Sequence, residues 1–411
     1  MSFERTARRV SRPRCLAYAA VMALLATAPT LAQEAPAEPS KWTIDVYGFA
    51  MLDMGYSAGA NHPDWFDVIR TTKLPSFEGE FGKDGKFYSG VRQSRLGVKS
   101  STPTSLGELK TIFEFELFGV GVDAGQTTFR LRHAWGEVGD FGAGQTWSPF
   151  MDPDVFPNSV EYWGPAGMVF FRNVQLRWMP MQGDSRLWIA LERPGATGDG
   201  GNFSDRIEIQ NLRGRFPYPD LSAQWRLTRP WGHFQAAGIA RYMKWDDTLD
   251  DAFDLSGHAW GWGVNLSSNL KFGDDVARLQ AVYGEGIENY MNDAPADVGA
   301  EPTNNPRQPV KGHPLPVLGL VAFYDHTWSS TATSSVGYSF VKIQNATGQA
   351  DSSFKRGDYA LANIMFYPVK NLMFGPELQW GKRTNFRDKF SSDDLRVQFS
   401  VKYNFGHQWG G

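Results

Sequence analysis

From about residue 42 onward, apolar and polar side chains alternate along this chain with a period of two, the pattern of strands with one greasy and one polar face. The last such run is the clearest: Leu395, Val397, Phe399, Val401, Tyr403 and Phe405 share one face, and Arg396, Gln398, Ser400, Lys402 and Asn404 share the other. The first run sets Trp42, Ile44, Val46, Leu52, Met54 and Tyr56 against Thr43, Asp45 and Asp53. Further runs are predicted through Val91 to Lys99, around Phe113, Phe115 and Leu117 with Lys110, Glu114 and Glu116 opposite, and near 169–179, 186–193, 219–228, 233–245, 257–271, 276–287, 316–328, 333–343, 357–367, 372–382 and 394–405. That makes about sixteen segments, each of the length that crosses a bilayer at a tilt. Short turns such as Gln182-Gly183-Asp184, Arg229 to Gly232, Gly273 to Asp275 and Val369 to Asn371 alternate with long polar loops, the longest from Asn289 to Pro314. The expectation is an all-β fold, a transmembrane antiparallel β-barrel whose first strand closes on its last, because only closure pairs every backbone group in lipid.

The stretch from Gly125 to Trp178 interrupts this rhythm. Thr128 to Trp135 alternates, with Phe129, Leu131 and Trp135 on one face and Arg130 and Arg132 on the other. Alternation resumes at Val174 to Trp178. Between them lies an aromatic and acidic insert containing Trp147, Asp152, Asp154 and Glu161, interrupted by proline. It has too few apolar partners to be a core element, so it is expected to fold against a structure already built. The barrel lumen is the natural host, and the insert then forms a constriction loop.

Composition agrees. The chain has 43 Gly, 14% aromatic residues and a mean hydropathy of −0.38, which suits a barrel that hides its apolar half in alternation. Residues 1–32 read as a secretory signal: five arginines from Arg5 to Arg14, an apolar run from Leu16 to Leu25, and Thr30-Leu31-Ala32 as a cleavage site. Residues 33–40 would then be a short periplasmic segment and 41–411 a single barrel domain. The lone cysteine, Cys15, lies in that leader, which excludes disulfides and thiolate metal sites from the mature chain. Losing the leader's five arginines and Glu4 takes the net charge from −3 to −7, which argues against a nucleic-acid partner. No metal or cofactor motif is present, and His326 and Ser329 point to opposite faces, so an enzyme is not expected.

Parity sends Arg95, Lys99, Lys110, Arg130, Arg132 and Arg177 into the lumen near the insert, opposed by Glu114 and Glu116. The surplus is cationic, and in a narrow channel it favours small anions, with Asp152, Asp154 and Glu161 as an acidic opposite wall. Arg172 shares parity with Val174, Leu176 and Trp178, which directs it to lipid unless a bulge at the insert junction reverses it. With 15 Trp in the chain, a general or sugar-selective channel with an aromatic slide is the alternative.

Ser94-Arg95-Leu96-Gly97-Val98-Lys99 with Thr102-Pro103-Thr104, then Arg130-Leu131-Arg132-His133-Ala134-Trp135, then Gly144-Gln145-Thr146-Trp147-Ser148-Pro149-Phe150-Met151-Asp152 resemble the DcaP-like porin family in motif detail over Tyr47 to Trp178. The resemblance implies a homotrimer of sixteen-stranded outer-membrane channels whose third external loop folds inward, passing small anions and dicarboxylates especially. It puts Arg95, Arg130 and Arg132 on the basic wall and Asp152, Asp154 and Glu161 on the inward loop. Two departures stand out: Gln33 to Ser40 is too short for the periplasmic coiled coil of some members, and Pro149 replaces a small hydroxylated residue.

Overall fold

The computed structural model describes residues 42–119 and 128–411; the expected signal (1–32), the expected periplasmic segment 33–40 and the start of the Gly125 run lie outside them. Sixteen strands form the barrel wall. They are β1 (Thr43–Ser57), β2 (Arg95–Thr104), β3 (Gly107–Glu116), β4 (Arg130–Val138), β5 (Phe141–Trp147), β6 (Arg172–Met181), β7 (Ser185–Glu192) and β8 (Asp220–Arg229) in the first half. The second half is β9 (Gly232–Asp247), β10 (Gly257–Phe272), β11 (Asp275–Glu285), β12 (Pro316–Ser329), β13 (Ala332–Ile343), β14 (Phe354–Asn363, continued as Met365–Val369), β15 (Leu372–Asn385) and β16 (Ser391–Gly410). Each pairs antiparallel with its neighbour, and β1 pairs with β16 from Thr43↔Gly410 to Ser57↔Arg396, which closes the ring. No helix among the described residues is long and apolar enough to cross a membrane. The strands do the crossing.

Alternation sets the two faces. Along Leu395 to Ser400 exposed and buried side chains alternate without a break, with Arg396, Gln398 and Ser400 inside. Leu52, Trp178, Leu266 and Val397 belong to the outward apolar surface, while Gln235, Asn265, Gln280 and Ser339 are buried toward the lumen. The short connections need the left-handed backbone region, supplied by Gly183 (φ 106°), Gly232 (φ 127°), Gly273 (φ 64°) and Asn371 (φ 71°).

Three expectations change. The predicted strand through Val91 is instead a short strand Lys86–Gly90 on the end of β1, a turn, and then β2. Arg92 is drawn away from the ladder by Asp67 (Nε to Oδ2 2.9 Å), and Gln93 by Asp53 (3.0 Å). The loop from Asn289 to Pro314 is not simply polar: it holds a hairpin, Val298–Asn305 with Gln308–Pro314, joined by Gly198–Asp199. The insert, expected to be too polar for a core, supplies one. Phe150, Met151, Val155, Met168 and Val169 are buried against lumen-facing Ala237, Ile239, Val282, Val317, Val321 and Phe323. Fully burying a side chain of this size is worth roughly 1.5–3 kcal/mol. The inner wall beneath the insert therefore carries an apolar patch, interleaved with polar residues such as Gln235 and Asn265 that bond the insert's carbonyls. Contact is close enough that a Cβ at Gly319 would stand 2.3 Å from the carbonyl of Gly167.

Candidate functional site

The insert leaves open a cavity of about 250 Å³ between itself and β1, β2, β4 and β16. Three cations border it: Arg95, Arg132 and Lys402. Behind them Glu114 and Glu116 of β3 hold the guanidinium groups together. Arg132 donates through Nε to Glu114 (2.6 Å) and through Nη1 to Glu116 (2.7 Å), and Arg130 reaches Glu116 with Nε (2.9 Å) and Nη2 (2.5 Å). Arg95 stands farther off, 3.7 Å from Glu114 and 3.4 Å from Glu116. The hydroxyl of Tyr162, on the insert, bonds Arg130 and Glu116 and lies 3.3 Å from Arg132. Glu116 is fully buried, so this network carries a desolvation cost that its hydrogen bonds must offset.

Arg172 is reversed from its parity. It is the first residue of β6, opposite Trp147, the last of β5. At this edge of the sheet its guanidinium turns inward, 4.9 Å from the Trp147 ring centroid and 4.0 Å from Glu116. Trp135 is corrected in the opposite sense. A bulge places Glu114 opposite His133 and Phe115 opposite Leu131, leaving Arg132 as the extra residue, so Trp135 is buried instead of sharing the outward face of Leu131. Arg177 points inward but outside the cavity: it donates to the Trp147 carbonyl (2.5 Å) and to Gln175, and stacks on Trp135 and Trp188. Lys99 is exposed, 4.5 Å from the Tyr47 ring, and Lys110 pairs with Glu108 (3.3 Å) near the Thr104–Gly107 turn, so neither borders the cavity.

The insert's carboxylates are anchors, which revises the expected acidic wall. Asp152 accepts from Arg226 (3.2 Å), His233 (2.7 Å) and Ser267 (2.6 Å), and Asp154 pairs with Arg226. Glu161 borders the cavity, yet its two oxygens accept from the backbone N–H of Ile69 (2.9 Å) and of Gly164. Burial pushes its pKa up to about 8 despite those bonds, so it is largely neutral at pH 7. Five cations (Arg95, Arg130, Arg132, Arg172 and Lys402) thus face two ionised carboxylates (Glu114 and Glu116). The remaining lining is mostly apolar, with Phe49, Met51, Trp147, Met151, Phe156 and Phe170 among others, and Gln93, Ser159 and Tyr162 as its polar members.

Sequence reasoning put Lys402 on the polar face of the last strand without singling it out. Closure pairs Met51 of β1 with Lys402 of β16, while the other edge of β1 pairs Phe49 with Arg95 of β2, which sets a residue near the end of the chain beside β2. The register of closure was the signal that would have found it.

A family model described as DcaP outer membrane protein matches residues 43–405. No curated protein matches. Among solved structures, the outer membrane channel DcaP of Acinetobacter baumannii aligns with a TM-score of 0.75 at 20% identity, over 88% of this chain and 97% of that one. The anion-selective porin from Comamonas acidovorans follows at 0.58 and 9% identity, over 89% of this chain and 100% of the other. A loop L8 deletion mutant of OmpT, an outer membrane protein of Vibrio cholerae, gives 0.53 at 13%, over 89% and 99%. At these identities the likeness is one of fold.

Proposed function

The chain belongs to the DcaP outer membrane protein family and is a channel of the bacterial outer membrane, and from that premise we propose that it passes small anionic solutes, dicarboxylates above all, through the cavity bordered by Arg95, Arg132 and Lys402. One observation carries the selectivity: three cations border the narrow passage and Arg130 and Arg172 stand behind them, against only two ionised carboxylates, and the loop's own acids are neutral or tied elsewhere. In a partly desolvated passage such a surplus focuses the field and lowers the cost of an arriving anion. Guanidinium forks suit carboxylates, which they can grip through two parallel bonds. The working unit in this reading is a homotrimer set in outer-membrane lipid, with residues 1–32 removed on export. Neither the sites nor the reading requires a cofactor.

The aromatic part of the lining, Phe49, Trp147, Phe156 and Phe170, favours a second reading as a general or sugar-selective porin. Reversal potentials across planar bilayers in a KCl gradient separate the two. Anion preference, with current block by succinate at millimolar concentration, is the expected result. Cation preference, or saturable block by maltooligosaccharides without block by succinate, would move the assignment to the second reading.

A further inference from the structure

Above the constriction a second long loop folds into the lumen. The loop after β1 contains two short 3-10 turns, Pro63–Trp65 and Thr71–Lys73, and buries Trp65, Val68, Ile69 and Leu74. It reaches across β16 to β15 and β14, where Ile69 and Thr71 occupy the space a Cβ would need at Gly381 and Gly357. Between those turns stands Arg70. Its Cζ lies 4.4 Å from the ring centroid of Trp65 and 4.1 Å from that of Trp163, and the two indoles meet edge to face at 4.6 Å. Only Nε is engaged, by Asp293 at 3.2 Å. Among the described residues neither terminal nitrogen has a hydrogen-bond partner, and the side chain remains 14% exposed.

Asp293 does not depend on Arg70. It is buried, and it also accepts from the hydroxyl of Thr71 (2.8 Å) and from the backbone N–H (3.1 Å) and hydroxyl (2.5 Å) of Thr72. The guanidinium is therefore fixed in plane and position by two aromatic rings and one carboxylate, with its outer fork left free. Lys73, which makes no ion pair among the described residues, follows three positions later. Trp163 adjoins Tyr162 at 6.2 Å, and Tyr162 bonds the arginines of the constriction.

We propose that Arg70 is a docking station for carboxylates on the external side of the constriction, gripping one carboxylate through its terminal nitrogens and handing the solute to Arg130 and Arg132 past the adjoining aromatic pair Trp163 and Tyr162. A guanidinium held only for structure would spend its fork on the protein, whereas this one presents an oriented pair of donors, the geometry a carboxylate fits. The station deepens the anion-channel reading and rests on it for the choice of solute.

The test uses the full-length channel in planar bilayers, with succinate added to the loop side or the turn side in turn, comparing wild type with Arg70→Gln and Arg70→Lys. Arg70→Lys retains the charge beside Asp293 and removes the fork, so it guards against a collapse of the loop. The expected result is a succinate on-rate from the loop side lower by roughly threefold in Arg70→Lys and tenfold in Arg70→Gln, with the turn-side on-rate unchanged. Wild-type on-rates from both sides in both variants would overturn the station while leaving the anion filter standing. Equal slowing from both sides would also overturn it, since that is what a purely structural brace predicts. Absence of succinate block in wild type, with anion preference intact, would overturn the docking of carboxylates without touching the filter; cation preference in wild type would remove the reading on which the station rests.

Discussion

Lys402→Gln is the cleanest perturbation of the constriction. Lys402 borders the cavity, its Nζ lies 4.6 Å from the Phe49 ring centroid, and it has no ion-pair partner among the described residues, so its removal orphans no buried carboxylate. The arginines are unsuitable for this purpose because each belongs to the network around Glu114 and Glu116. A cavity of about 250 Å³ has the volume of a sphere of radius ~4 Å, which puts a centred anion at about 6 Å from the ammonium group. At that distance the attraction is ~0.7 kcal/mol at the dielectric constant of water and ~3 kcal/mol at an effective value of about 20. A wet passage lies toward the lower figure. An effect of ~1 kcal/mol on a univalent anion is roughly a fivefold change in partitioning, and a dianion feels about twice the energy. Lys402→Gln should therefore lower the chloride-to-potassium permeability ratio by about threefold to tenfold, lower succinate affinity further, and leave thermal stability within about 0.5 kcal/mol of wild type. Reversal potential in a KCl gradient gives the first, and current block the second. An unchanged reversal potential in a correctly folded variant would refute the reasoning, because a cation at the narrow passage cannot be removed without changing the potential there.

Arg130→Ala with Arg132→Ala should weaken dicarboxylate block by about tenfold and also destabilise the barrel by roughly 3–5 kcal/mol, since Glu116 is left buried with the Tyr162 hydroxyl and only the more distant cations Arg95 and Arg172. Adding Glu116→Gln should recover much of the stability and none of the block, as read by denaturant unfolding and single-channel recording. Asp152→Ala removes the acceptor shared by Arg226, His233 and Ser267, so the root of the insert should loosen, with larger and noisier single-channel conductance. Glu161 gives a pH dependence. Its pKa in the folded protein is raised from 4.5 to about 8 by burial, so the folded state holds the proton more tightly. The associated stability is complete below pH ~4.5 and is lost as pH rises toward ~8. Glu161→Gln should flatten that slope in thermal unfolding followed by near-ultraviolet circular dichroism, and a slope that persists unchanged would show that other groups set it.

Period-two alternation was enough to define the architecture, because in a barrel wall every residue meets either lipid or lumen and its polarity reports which. Most strand positions, the short turns and the closure of β1 on β16 were legible for that reason, whereas the glycine-rich strand β5 was read only as the way into the insert. Parity also placed Arg95, Arg130 and Arg132 on the lumenal side, and the break in alternation marked the insert. What the sequence could not decide were the places where one residue disturbs the period. The bulge at Arg132 inverts Trp135, and the sheet edge at Trp147 inverts Arg172, since a single extra residue or a strand end reverses a side chain without altering composition. Nor could it decide how charges pair across the lumen. Asp152 and Glu161 became anchors instead of an opposite wall because their partners, His233 and the Ile69 N–H, lie 81 and 92 positions away in the chain. Lys402 joined the constriction only through ring closure, which makes neighbours of the two ends of the barrel.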